Sequence, residues 1–306
     1  MTEDKHKILA IAHRVCPTLA KTADGFGTKE EMVQATTRSL AASLAGFNGA
    51  VRLVVILDGC PSYRTFFTDA FAPIDNVQIS FEDTPSIGNQ ATYAKQFEIL
   101  LAEKNADYLY FSEDDYIYQS DAFVAMAGFL DQNEVDFVTP LDHPDRYNHA
   151  LGNIGPLRKE TIRTSRHCHW RTAESSCMTF MTSRRVFDEA KALIATYGTG
   201  AMDGTMWVAL TKTGVFNPAK IFSAAFAYIL RLDRPFVFYM PLCAWKHCGI
   251  HMLTTRRFSL WQPIPTLAVH LSRTSLPLHS EDLLAGLPEE ERKHLRDIAM
   301  EYLSQP

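Results

Sequence analysis

"YLYFSEDDYIYQSDAF", residues 108–123, runs five mostly apolar or aromatic residues into three consecutive carboxylates, Glu113, Asp114 and Asp115, and then returns to hydrophobic side chains. A short apolar run with no alternation reads as a strand covered on both faces, as in a parallel sheet flanked by helices. The carboxylates then mark the strand's carboxyl end.

Working outward, the same alternation of strand and helix continues. Upstream, "NQATYAKQFEILLAEKN" (89–105) carries apolar residues at helical spacing, and "NVQISFED" (76–83) reads as a strand. "YRTFFTDAF" (63–71) reads as a short helix, and "VRLVVILDGC" (51–60) as a strand that must turn at Asp58-Gly59. "TKEEMVQATTRSLAASLAGF" (28–47) opens with Thr28 and with Glu31 three residues later, a capping-box start to a helix, and "HKILAIAHRV" (6–15) is β-rich. Downstream, "SDAFVAMAGFLDQ" (120–132) reads as a helix and "VDFVTPLD" (135–142) as a fifth strand. Strands separated by helices predict an α/β fold, a mostly parallel sheet with right-handed crossovers.

Beyond residue 142 the pattern loosens. A polar stretch over 143–176, rich in turn formers, His and Arg, is too long for a simple connector. "CMTFMTSRRVF" (177–187) then reads as a strand entering the helix "DEAKALIATYG", and "GTMWVALTKTG" (204–214) as another helix. The organisation expected is a first half, 1–142, an elaborated half, 143–280, of the same domain, and a charged helical tail, 281–306.

With 306 residues, 46 % hydrophobic and 21 % charged, the chain can bury a large core. A formal charge of −5 gives no basic footprint for duplex nucleic acid. The N-terminal residues lack the apolar length and cleavage pattern of a signal peptide, and the longest later apolar run, "IFSAAFAYIL" (221–230), is closed by "RLDR" well short of the ~20 residues a membrane span needs. A cytoplasmic protein without a transmembrane segment is expected. The six cysteines read as free thiols, with one alternative: Cys243, His247, Cys248 and His251 lie close enough in "CAWKHCGIH" for a zinc site, although the usual two-residue cysteine spacing is missing.

Ligands of open α/β sheets bind at the carboxyl ends of the strands, where Arg14, Asp58 and Glu113 to Asp115 collect. Three adjacent carboxylates repel one another, and a divalent cation such as Mg²⁺ or Mn²⁺, bound by one or two of them together with substrate phosphates, would reverse that cost. A solvated turn or a helix cap is the other reading of the same charges.

The order of a strand ending in Asp58-Gly59, then "SIGNQATYAKQFEILLAEKNADYLYFSEDDYIYQSDAF", resembles the nucleotide-sugar-binding half of GT-A glycosyltransferases, broadly the family-two-like bacterial group. "DFVTPLDHPDRYN", "HWRTAESSCMTFMTSRRVF" and "WQPIPTLAVHL" are similar to later segments of that group. The resemblance implies a Rossmann-like nucleotide-sugar-binding sheet with an acceptor-side second half, a Mn²⁺ or Mg²⁺ cofactor, and transfer of a sugar from a nucleoside diphosphate donor to a saccharide or other hydroxyl acceptor with inversion. It makes the "EDD" segment a DxD motif with Glu in the first position. Asp115 is then the metal ligand, His270 completes the metal site, and Glu113 or Asp114 lies closer to the ribose or the sugar.

Asp203 occupies the place of the acceptor-side carboxylate and is the implied base, its alternative being a cap for the helix that follows. Asp58 would accept a hydrogen bond from the nucleotide base, or only make its turn. Arg14 and Lys95 would pair with the diphosphate, or be ordinary charges on their loop and helix. Gly88 and Asn89 would let the chain pass close to the nucleotide, or merely open the helix. Trp170, Arg171 and Glu174 would contact the sugar or acceptor, Trp170 by stacking, or alternatively as a packing anchor. Two other functions remain: a nucleotidyltransferase acting on sugar phosphates, for which the tight Gly-rich phosphate loop is missing around Gly25 and Gly27, and a non-catalytic nucleotide or carbohydrate binder. A lipid-linked acceptor would add peripheral contact with a membrane.

Overall fold

A computed structural model describes residues 6–17, 28–132, 134–142, 160–232, 234 and 236–271. Its centre is β1 (Lys7–Val15), whose apolar run is buried on both faces. Parallel to it lie β2 (Gly49–Asp58) and β4 (Tyr108–Glu113), and β3 (Val77–Thr84) extends the sheet beyond β2. The crossovers are α1 (Lys29–Ala45), α2 (Arg64–Phe71) and α3 (Asn89–Ala102). Thr28 and Glu31 close the reciprocal capping box expected for α1, with Glu31 N–H on Thr28 Oγ1 at 3.2 Å and Thr28 N–H on Glu31 Oε2 at 2.9 Å.

The second half of the chain completes the same sheet. After β5 (Tyr116–Tyr118) and α4 (Ala122–Leu130) come β6 (Phe137–Val138), β7 (Ile162–Thr164), β8 (His169–Ala173), β9 (Phe180–Ser183) and β10 (Leu260–Ile264). The strand order is β3-β2-β1-β4-β9-β6-β10-β8-β7, with β8 and β9 running against the rest. The sheet is therefore mostly parallel, as expected, while its C-terminal part is mixed. The fifth expected strand shrinks to the two residues of β6. Helices α5 (Arg184–Ile194), α6 (Asp203–Thr211), α7 (Pro218–Ile229) and α8 (Phe236–Thr254) follow β9, so the apolar run near residue 221 is helical. The "WQPIPTLAVHL" stretch splits into β10 and β11 (Ala268–His270), and β11 pairs with β5 in a separate ribbon.

Alternation along β1 sends Leu9, Ile11 and Val15 into a core with α1, α2 and α4, and Ala10 and Ala12 into a second core with α3, α5, α6 and α8. The alanines on that second face leave room for Tyr93 and Leu100 of α3. Residues 143–159, which include most of the "DHPD" motif, residues 18–27 with Gly25 and Gly27, and the tail beyond Leu271 lie outside the described residues.

Candidate active site

Strand order places β2 and β3 on one side of β1 and β4 with the later strands on the other, so the chain reverses its direction of winding between β1 and β4. A crevice forms outside the carboxyl ends of strands at such a switch point. Arg14 and Glu113 are register partners there, one near the end of β1 and the other at the end of β4.

Each of the three carboxylates has its own cationic partner. Glu113 Oε1 accepts from the Arg14 guanidinium, and its Oε2 accepts from Thr179 Oγ1 at 3.1 Å. Asp114 Oδ2 accepts from Lys29 Nζ at 2.7 Å and from the Cys16 backbone N–H at 3.0 Å. Asp115 Oδ2 meets His270 Nε2 at 2.9 Å. The mutual repulsion inferred from three adjacent acids is thus offset internally, because successive residues at the strand end point to different cations.

The electrostatics follow from these pairs. Burial alone would depress Arg14, but Glu113 and Tyr197 outweigh it and hold the guanidinium above its ordinary range. Burial raises the Asp114 carboxyl, with Lys29 pulling against it. For Asp115 burial acts upward as well, yet His270 overrides it and the carboxyl stays below its ordinary range. His270 is held well above its usual value by Asp115 against the pull of burial. Nearby, His13 is lowered to about 3 by burial and by Lys29, so its ring is neutral, with Nδ1 at 2.8 Å from Ser112 Oγ.

Two features of the Asp115 and His270 pair would suit a small divalent ion. Asp115 Oδ1 is buried without a hydrogen-bond partner. The separation of 2.9 Å between its other oxygen and His270 Nε2 matches the roughly 3 Å between adjacent ligands of an octahedral ion bound at about 2.1 Å. Among the described residues no group of three or more His, Cys, Asp or Glu donors is arranged to hold a metal. An ion here would draw its remaining ligands from phosphate and water, the usual arrangement for Mg²⁺ at nucleotide sites.

Three solved structures illustrate what the chain is similar to. A Staphylococcus aureus TarS fragment, residues 1–349, is 12 % identical at a TM-score of 0.40, over 97 % of this chain and 66 % of that one. The galactosyltransferase LgtC, solved in complex with donor and acceptor sugar analogs, is 11 % identical at a TM-score of 0.40, over 97 % of both chains. A 4-diphosphocytidyl-2C-methyl-D-erythritol synthase from Anaerococcus prevotii is 8 % identical at a TM-score of 0.34, over 66 % of this chain and 81 % of that one. No protein-family profile and no curated protein matches the chain. At such scores the reading of the site rests on the chain's own residues.

Several expected positions lie in the cluster. Asn89 opens α3, and its backbone carbonyl accepts from Arg14 at 2.8 Å, while its side-chain oxygen accepts a second Arg14 bond and its Nδ2 donates to Tyr197 Oη at 3.0 Å. Gly88 precedes it at φ +86°, a conformation that suits glycine, with nothing within 4 Å of where a Cβ would stand. Asp203 begins α6, within electrostatic reach of Tyr197, and its Oδ1 accepts from the Gly204 N–H at 2.6 Å.

Other expected positions have partners of their own within the chain. Asp58 is only 4 % exposed, and its carboxylate accepts from Thr84 Oγ1 at 2.7 Å, Ile87 N–H at 2.6 Å and Gly88 N–H at 2.9 Å. It fastens the loop leading into α3. Lys95 pairs at the surface with Glu82 at 3.2 Å. Trp170 is 0 % exposed, stacked on Phe129 at 4.4 Å and 4°, and is a packing anchor. Arg171 is buried against Asp142 at 2.6 Å, and half-buried Glu174 offers its backbone carbonyl to Thr211 Oγ1 at 3.2 Å. "CAWKHCGIH" is interior to α8, Cys248 is buried with its thiol 3.4 Å from Thr196 Oγ1, and among the described residues no group of three or more donors is assembled there.

Sequence reasoning missed Lys29, Thr179, Tyr197 and Cys177, whose thiol lies beside His270 and Tyr116. Lys29 carried a readable signal. A cation in the first turn of a helix opposes the macrodipole, so its presence there calls for a carboxylate partner.

Proposed function

We propose that this protein is a divalent-metal-dependent glycosyltransferase of GT-A type, moving a sugar from a nucleoside diphosphate donor to a hydroxyl acceptor with inversion. The observation that carries the reading is the meeting of Asp115 and His270 at the carboxyl end of β4, with Asp115 Oδ1 buried and unpartnered. Asp115 and His270 would hold Mn²⁺ or Mg²⁺, which when bound supplies Lewis-acid neutralisation of charge on a leaving diphosphate.

The chain's own residues do the rest. Arg14, tied to Glu113 and Asn89, locks the start of α3 to the end of β4, so that the crevice floor is rigid before the donor arrives. Lys29 and Cys16 hold Asp114 in the same way on the other flank. Asp203, at the start of α6 and within electrostatic reach of Tyr197, takes the proton of the attacking acceptor hydroxyl.

Thermal-shift titration of UDP-, GDP-, CMP- and dTDP-sugars with and without Mn²⁺ tests the reading, because a ligand of the native state raises its stability. One donor class should stabilise the protein only with the metal and should be hydrolysed slowly in its presence. Metal-independent null results across all donors would reject the enzyme, and pyrophosphate release from a nucleoside triphosphate and a sugar phosphate would identify a nucleotidyltransferase instead.

A further inference from the structure

Helix α7 is built inside out. Its inward face consists of Ala224 at 0 % and Ala227 at 3 % exposure, whereas Phe222, Phe226 and Ile229, spaced to share one face, are 74 %, 62 % and 74 % exposed. Tyr228 at 70 % and Leu230 at 51 % flank that stripe, and α8 adds Ile250 at 71 % and Leu253 at 64 %. The three aromatic rings alone leave on the order of 400 Å² uncovered, about the limit for a contiguous apolar patch on a soluble monomer.

Charge says what covers it. Over residues 204–271 the sequence holds seven Lys or Arg and one acid, Asp233, in a chain whose total is −5. Lys220, Arg231, Arg234 and Lys246 are all exposed on or beside the two helices. An apolar, aromatic face rimmed by cations matches an interfacial helix on an anionic membrane, with rings at the level of the headgroups. No helix among the described residues is long and apolar enough to cross a membrane. We propose that the paired helices α7 and α8 dock on the surface of an anionic lipid bilayer. Helix α8 also packs on α6, where Met240 lies beside Gly204, the residue after Asp203. The proposal does not depend on the reaction assigned above.

The test is co-sedimentation of the full chain with vesicles of phosphatidylcholine alone and of phosphatidylcholine mixed with phosphatidylglycerol, at low and high salt. Binding should require phosphatidylglycerol and weaken with salt. Lys220→Gln and Arg231→Gln should each weaken it about fivefold, and the Phe222→Ser/Phe226→Ser variant on the order of a hundredfold. Equal binding to both vesicle types, no binding, or unchanged binding by the serine variant overturns the proposal. So does a serine variant that melts well below the wild type, since the stripe would then be covered in solution by the chain's own residues. A wild-type dimer that the serine variant splits, seen by sedimentation velocity, overturns it in favour of a second copy.

Discussion

Nε2 of His270 lies 2.9 Å from Oδ2 of Asp115 across 155 residues of sequence, fixed by the antiparallel pairing of β11 with β5 in which His270 stands opposite Tyr116. The His270 ring also stacks on Tyr116 at 4.8 Å and 15°, which sets its orientation. The two groups share a proton, which a metal bound there would have to replace. Metal binding should therefore release a proton and strengthen with pH by about tenfold per unit until His270 passes its raised pKa. Calorimetric titration of Mn²⁺ in buffers of different ionisation enthalpy reads both effects, and a pH-independent affinity would contradict the site.

Replacing either donor separates metal binding from folding. Asp115→Ala should abolish Mn²⁺-dependent donor binding, a loss of at least on the order of a hundredfold, and so should His270→Ala. Calorimetry with the donor found by thermal shift is the measurement. Unchanged Mn²⁺-dependent affinity in Asp115→Ala would show that the ion, if any, lies elsewhere.

Without metal, the same pair shapes stability against pH. Asp115 is depressed, so its contribution is present above the ordinary carboxylate value and is lost as pH falls through its lowered one. His270 is raised, so its contribution is present below its ordinary value of about 6.5 and is lost as pH rises through the raised one. Relative to Asp115→Asn, the wild type should gain most stability at mildly acidic to neutral pH and should lose part of that gain at alkaline pH. Urea titrations of both proteins across the pH range would show a constant difference if the pair did not form.

Breaking the Arg14 pair should cost more than breaking a surface one. The Arg14 and Glu113 side chains are 9 % and 20 % exposed, so Glu113→Gln leaves a largely buried guanidinium short of its counter-charge. The expected loss is about 3 kcal/mol or more, a fall in melting temperature of roughly 6 °C or more. Lys95→Gln, at a half-exposed surface pair, should change stability by under ~1 kcal/mol. Scanning calorimetry of the two variants side by side makes the comparison.

How far the sequence revealed this arrangement varies along the chain. From β1 to α4 each element except β5, which pairs with the distant β11, follows from local signals: the capping box at Thr28, the Asp58-Gly59 turn, and apolar runs bounded by polar ones. Gly59 sits at φ +76°, and a Cβ there would stand 2.0 Å from Ser86 Oγ, so the turn depends on glycine. The later half depends on contacts distant in sequence. β6 is two residues long and is held between β9 and β10, which no local period could announce. Trp170 was legible as an aromatic in a polar stretch but not as a partner of Phe129, because stacking across 41 positions leaves no pattern. The outward aromatic face of helix α7 likewise has no local signal. At the site, the three carboxylates were plain, but their separate cations depend on where α1 begins and where β1 and β11 end.

On the function proposed above, Asp203 decides whether the site turns over or only binds. As the first residue of α6 it accepts from its neighbour's N–H at 2.6 Å, which orients the carboxylate without burying it completely. Asp203→Asn keeps the size and the acceptor oxygen of the side chain, so the helix start should tolerate it within about 1 kcal/mol. A base, however, is lost outright, and transfer should fall by at least ~10²-fold while Mn²⁺-dependent donor affinity stays within a factor of about two. Steady-state transfer rates and donor calorimetry on the same preparation distinguish the two roles. Retained turnover with lowered stability would make Asp203 a helix cap alone, and loss of donor affinity would place it on the donor side of the crevice.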